Sequence, residues 1–242
     1  MKRYVLVALV LSLAIPAFAA DYEKILLPIK PSVVMCGYDS RYETQLVVYN
    51  GNGRTVEGIA PDTSALVQGE VAHVPVPQFV YIPRADAANM QLSLLVESSD
   101  RSKPEMRSFT ELPIVRESEF RAGKLQFPGV RIDENFRQTL RIYGLDGMKA
   151  VDVRVRVFPM GSDHPLDYQR MVYTLYPYEQ GFTSEGFETV PTFNMECDLS
   201  KYYAPGQQVR VVVEPLTPGA KIWAFISVTS NETQHFYTVL PR

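Results

Sequence analysis

The stretch Val151-Asp152-Val153-Arg154-Val155-Arg156-Val157-Phe158 alternates valines with an aspartate and two arginines. Successive side chains of a strand point to opposite faces, so this period of two gives one apolar and one charged face, as a half-buried strand requires. Similar runs lie at residues 43–49, 90–96, 137–143, 209–213, 222–228 and 236–240. Turn formers separate them, among them Asn50-Gly51-Asn52-Gly53, Asp146-Gly147 and Pro218-Gly219. Eighteen prolines in 242 residues exceed the usual ~5% and favour short segments over long helices. No long helical stripe occurs; residues 84–90 and 198–202 have room for about one turn of helix each. The patterning predicts an all-β, antiparallel protein.

The chain also resembles itself. Tyr42, Leu46, Tyr49, Asn52 and Gly53 align without gaps onto Phe136, Leu140, Tyr143, Asp146 and Gly147, at an offset of 94. Phe109, Leu112 and Pro113 match Tyr237, Leu240 and Pro241 at an offset of 128. Two tandem immunoglobulin-like sandwiches follow as the expectation, at residues 20–113 and 114–242, each near the ~100 residues of such a unit. The second holds an insertion at about residues 159–203.

Lys2 and Arg3, a short apolar stretch over residues 4–15, Pro16 and then Ala17-Phe18-Ala19 form the pattern of a secretory signal peptide, residues 1–19. The apolar stretch is shorter than the ~20 residues a spanning helix needs. The expected product is exported, to the periplasm or beyond, with no transmembrane segment in the mature chain. Its net charge falls from −3 to −5 on removal of the two basic residues. That balance gives no reason to expect a nucleic-acid partner. In an oxidising compartment Cys36 and Cys197 have two readings: a disulfide closing a long loop, or two separate buried thiols.

The insertion carries Tyr168, Tyr173, Tyr176, Tyr178, Phe182, Phe187, Phe193, Tyr202 and Tyr203, a third of the 27 aromatics in the chain. Tyr176, Tyr178 and Phe182 sit among turn formers. On exposed loops they offer rigid stacking area for a sugar or a protein partner; turned inward, they fill one end of a sandwich.

Signals of catalysis are missing from this sequence. His73, His164 and His235 are far apart and none pairs with another at metal-ligand spacing; His73 and His235 read as strand residues. There is no Gly-x-Ser-x-Gly elbow, no His-Glu-x-x-His and no phosphate-binding glycine loop. Asp133, Glu134, Asp163 and Asp167 supply hard oxygen ligands but follow no calcium-loop spacing, and read as solvated charge. A hydrolase built on them is the weakest reading. The run Arg116, Glu117, Glu119 and Arg121 reads as a solvated mixed-charge face near the domain junction. Asn231-Glu232-Thr233 matches a glycosylation sequon, which is too short a motif to count. No catalytic residue, metal ligand or cofactor is assigned.

The segment Trp223-Ala224-Phe225-Ile226-Ser227-Val228-Thr229-Ser230-Asn231, continuing to Thr233-Gln234, resembles the closing strands of secreted bacterial β-sandwich proteins with no assigned function. Tyr42-Glu43-Thr44-Gln45-Leu46-Val47-Val48-Tyr49-Asn50 is similar to the opening strands of the same group. The resemblance covers about a third of the chain and implies fold and export only. The layout of two sandwiches behind a signal peptide is similar to that of periplasmic pilus chaperones, a likeness of layout alone. The expected function is an exported, non-catalytic binding or structural module of the bacterial cell envelope, meeting a protein or surface partner through edge strands and end loops. The alternative is a carbohydrate-binding protein that stacks sugars on Tyr176, Tyr178 and Phe182. Non-reducing mass spectrometry checks the Cys36–Cys197 bridge: a bridged chain lacks both free-thiol masses, and their presence removes it.

Overall fold

The computed structural model describes residues 22–28, 34–35, 40–57, 59, 65–74, 79–100, 102–132, 135–145, 149–165, 171–175, 193–194 and 207–242. The expected signal peptide, Cys36, Cys197 and most of the 159–203 insertion lie outside the described residues. The first half runs β1 (Tyr22–Leu26), β2 (Val34–Met35), β3 (Ser40–Asn50), β4 (Val71–Val74), β5 (Phe79–Pro83), α1 (Arg84–Ala87), β6 (Met90–Asp100), β7 (Lys103–Leu112) and β8 (Val115–Arg116). A 3-10 turn at Glu117–Glu119 leads into β9 (Leu125–Arg131), β10 (Phe136–Gly144), β11 (Val151–Pro159), β12 (Met171–Leu175), β13 (Phe193–Asn194), β14 (Gln208–Pro215), β15 (Ile222–Ser230) and β16 (Phe236–Val239). The protein is nearly all β, as its patterning predicts.

The described strands form four antiparallel sheets. Their strand orders are β5-β1-β8, β2-β3-β6-β7 with β4 also on β3, β13-β10-β15-β16, and β12-β11-β14-β9. The β3-β6-β7 and β10-β15-β16 ladders share one order of connection, and three of the five pairs matched at an offset of 94, Tyr42/Phe136, Leu46/Leu140 and Tyr49/Tyr143, lie on their first strands. Their environments differ at one pair: Tyr49 is 37% exposed, whereas Tyr143 is wholly buried.

In the second half the valines of the opening stretch do what their period requires. Val151, Val153, Val155 and Val157 of β11, with Val209, Val211 and Val213 of β14, form one core with Leu140 and Ile142 of β10 and Ile222, Ala224, Ile226 and Val228 of β15. The β14–β9 register shifts between Val209 and Val211, where Gly129 takes a φ of +70° that a side chain would strain.

Residues 222–228, grouped above with the half-buried strands, depart from that pattern. Every residue from Ile222 to Thr229 is buried. The even-numbered apolar side chains enter the second-half core, while Trp223 and Phe225 join the core formed by Ile25 and Leu26 of β1, Leu46 of β3, Phe79 of β5 and Leu94 of β6. Tyr143 and Phe236 join the same core. The Tyr143 and Phe225 rings stack with centroids 6.4 Å apart, and Trp223 lies 5.6 Å from Phe225. One sheet therefore separates two cores, and a near-continuous apolar run is what burial on both faces demands.

Polar contacts fasten the halves. Lys24 Nζ donates to the Leu145 carbonyl at 2.8 Å and lies 3.9 Å over the Phe79 ring. The Tyr143 hydroxyl donates to the Pro28 carbonyl. Arg137 donates to Tyr42 Oη at 2.9 Å, Gln234 Oε1 at 2.6 Å and Asn231 Oδ1 at 3.0 Å. Buried Gln234 has φ +60°, and this left-handed turn is held by its amide's bond to the Ser230 carbonyl.

The 116–121 run is half solvated: Glu119 and Arg121 are exposed, whereas Arg116 and Glu117 are partly buried in ion pairs. Arg116 pairs with Glu23 at 2.6 Å, and its backbone N–H donates to Glu119 at 2.7 Å. Glu117 takes Arg84 at 2.8 Å and the Lys24 backbone N–H at 3.0 Å. Arg121 and Ile222 exchange backbone bonds. Arg116 and Glu117 tie the junction to β1 and α1. Burial first, then neighbouring Glu117, push the Tyr81 phenol above its ordinary 10.0.

Three outcomes are expected. Phe225→Ala removes a ring at the shared core and lowers stability by about 3–5 kcal/mol. Both halves unfold in one step, so fluorescence of Trp223, the single tryptophan, and far-UV circular dichroism give the same denaturation midpoint. Tyr81 holds its proton more tightly folded than unfolded, so its contribution is present below about pH 10 and lost as pH rises beyond it. Tyr81→Phe lessens that alkaline loss, measured as denaturation midpoint against pH.

Candidate interaction surfaces

Two surfaces stand out, one at an edge and one on a sheet face. At the edge, the Ser230 N–H donates to the His235 carbonyl, which fixes the phase of the β15–β16 ladder. Alternation then turns the backbone groups of Phe236 and Thr238 away from β15. The Phe236 carbonyl accepts from Thr110 Oγ1 of β7 at 3.0 Å, so the edges of two sheets lie side by side. Phe109 on β7 is 64% exposed, and Tyr237 and Leu240 on the β16 side are 49% and 46% exposed.

These two edges differ in their protection. Strand β7 carries Lys103, Glu105, Arg107 and Glu111, and its pairing with β6 shifts register at Ser99/Asp100; charges and irregular pairing discourage a further strand. Strand β16, Phe236-Tyr237-Thr238-Val239, has no charge and pairs with β15 in unbroken register. At the β7 turn, hydrogen bonds from the Ser102 hydroxyl and backbone hold the Asp100 carboxyl below its ordinary 3.8.

The sheet face is the charged side of the opening stretch. Register sets Arg154 opposite Glu214, Arg156 opposite Val212 and Phe158 opposite Arg210. Glu214 receives Arg156 at 2.8 Å, Lys124 at 3.4 Å and Arg154 at 3.8 Å. The Arg210 guanidinium lies 4.2 Å above the Phe158 ring, with that of Arg156 5.9 Å from the same ring. Buried Val212 and Phe158 form the floor of this face, and the charged side chains line it.

A polar cluster around buried Asn50, Asn52 and Asp86 acts as a brace. Asn50 donates to the carbonyls of Arg54 and Leu66, Asn52 donates to Asn50 Oδ1 and the Asp86 carbonyl, and Arg54 donates to both carboxylate oxygens of Asp86 at 2.8 Å. It pins the loop after β3 to α1. At Gly51 an added Cβ would meet the Asn89 carbonyl oxygen at 2.7 Å, so the close approach needs glycine.

Of the residues singled out from sequence, Tyr176, Tyr178, Phe182, Cys36, Cys197, Asp133, Glu134 and Asp167 lie outside the described residues. His164 is exposed and its backbone N–H donates to Ser162; His235 is exposed at the start of β16. Asp163 is exposed, 3.9 Å from Arg210. Asn231 of the sequon is held by Arg137. Sequence reasoning missed Lys124, Arg210 and Glu214, which only the pairing of β9, β11 and β14 brings to one face. It also missed Thr238, whose outward backbone depends on ladder phase. Among the described residues, no group of three or more His, Cys, Asp or Glu residues converges as a metal site, and no helix is long and apolar enough to cross a membrane.

Arg54→Ala leaves Asp86 buried without its cation and lowers stability by roughly 2 kcal/mol, read from chemical denaturation. Because folding depresses the Asp100 pKa, its contribution is present above about pH 4 and lost as pH falls. Asp100→Asn therefore flattens the acid limb of stability against pH. Comparison of the chain with protein families, curated proteins and solved structures finds no match.

Proposed function

We propose that the chain is an exported, non-catalytic binding module of the bacterial cell envelope, built from two tandem immunoglobulin-like sandwiches, that takes an extended segment of a protein partner along the β16 edge. One observation carries this reading: β16 is an uncharged, unbulged edge whose Thr238 backbone groups face outward, flanked by exposed Phe109 and Tyr237. Main-chain bonds to such an edge provide affinity, and exposed aromatics beside it provide area for the partner's side chains. The sandwich layout is supported by the matched order of the β3-β6-β7 and β10-β15-β16 ladders. Export is supported by the charge and apolar pattern of residues 1–19.

The test is capture of envelope proteins by the mature chain beside two variants. Thr238→Pro deletes an N–H that points away from β15, so it spares the fold while removing an outward donor. Tyr237→Ala removes the flanking ring. A protein captured by the wild type and reduced at least tenfold with Thr238→Pro supports strand pairing. Equal capture by both chains refutes it.

A further inference from the structure

We infer that the outer face of β11 and β14 binds an anionic polysaccharide, one bearing carboxylates or sulfates along a linear chain. Three cations, Lys124, Arg154 and Arg156, converge on the single carboxylate of Glu214. The cluster keeps two positive charges in excess; Asp152, on the same face and bonded by the Thr174 hydroxyl, offsets one of them, so the face stays positive on a chain whose net charge is −3. Arg210 extends it along the face; its nearest carboxylate, Asp163, is fully exposed at 3.9 Å. Like charges gathered this closely repel, and an anion laid across them relieves that repulsion.

The shape of the face selects the class of anion. Residues two apart on a strand are ~7 Å apart and neighbouring strands ~4.8 Å, so the cations form a flat strip instead of a pocket for one small ion. Arginine forks match carboxylate and sulfate oxygens in pairs. A bound peptide needs apolar pockets for alternate side chains. Here the apolar residues, Val212 and Phe158, are already buried, and the Phe158 ring is covered by Arg210. A membrane surface calls for a row of protruding apolar anchors; among the described residues, the large exposed apolar side chains near this face are Val172 beside Arg154 and Met160 just after β11, which form no row. The site is separate from the β16 edge, so either assignment can fail without the other.

The experiment is affinity electrophoresis of the full mature chain through gels holding polygalacturonate, heparin or neutral dextran, with phosphatidylglycerol vesicles assayed by flotation. The expected result is retardation by a polyanion, lost in high salt, with no retardation by dextran. The paired variant Arg154→Gln/Arg156→Gln weakens it at least tenfold, and Arg210→Gln severalfold. Glu214→Gln frees the three cations and strengthens binding severalfold, a gain that a misfolded variant cannot mimic. Absence of polyanion binding, or a Glu214→Gln variant that binds more weakly while keeping the wild-type circular dichroism, overturns the proposal. Binding to vesicles without binding to polysaccharide assigns the face to lipid and overturns it too. Retardation by dextran that survives Arg154→Gln/Arg156→Gln and disappears with Tyr176→Ala also overturns it, in favour of the loop aromatics.

Discussion

Burial of β15 on both faces is the constraint on which the rest of the structure depends. A strand with one wet face needs one core; this strand has Ile222, Ala224, Ile226 and Val228 in one and Trp223 and Phe225 in another. If the two halves were to separate, the Trp223, Phe225, Tyr143 and Phe236 side chains would meet water together. Each large side chain that leaves a core forfeits about 1.5–3 kcal/mol of burial, so separation is disfavoured by several kcal/mol before any polar contact is counted. The halves thus share a layer, where an ordinary tandem repeat would be joined only by a linker.

Polar contacts around that layer follow from the same geometry. Backbone and side-chain groups drawn close to a shared core lose their water and must find partners. Lys24 bonds the Leu145 carbonyl, the Tyr143 hydroxyl bonds the Pro28 carbonyl, and Arg137 gathers Tyr42, Asn231 and Gln234. Gln234 accepts a backbone conformation with φ +60° because its side chain meets Arg137 and its amide returns to Ser230. A strained turn placed there keeps β16 beside β15 and sets which of its backbone groups point outward.

Much of this was legible in the sequence where it depends on period alone. The four valines of residues 151–157 announced a half-buried strand, and all four lie in the core. The run at 222–228 departs from a half-buried reading because a strand buried on both faces has no alternation to detect; its near-continuous apolar character is the available signal. Arg116 and Glu117 depart from the expected solvated face for a different reason. Glu23, Lys24 and Arg84, which engage them, lie far away in sequence, and a mixed-charge run looks the same whether its partners are water or ions. The arginine face was half legible: Arg154 and Arg156 alternate with valines, while Lys124, Arg210 and Glu214 reach them only through strand order.

The two outer surfaces are then consequences of how the cores are shared. Both faces of β15 are packed, so among the described residues the open part of this sheet is its rim, where β16 ends the order. Among the described residues, one side of the β11-β14 sheet joins the hydrophobic core, and the other is the side that the alternating sequence made charged. A sheet with one dry face and one charged face is ordinary for an antiparallel fold. What distinguishes this one is imbalance: Glu214 is shared by three cations, where a surface built only for solubility would intersperse the two signs evenly. Rigid support by a packed core holds those cations in place without further ordering, which favours a partner whose own charges are regularly spaced.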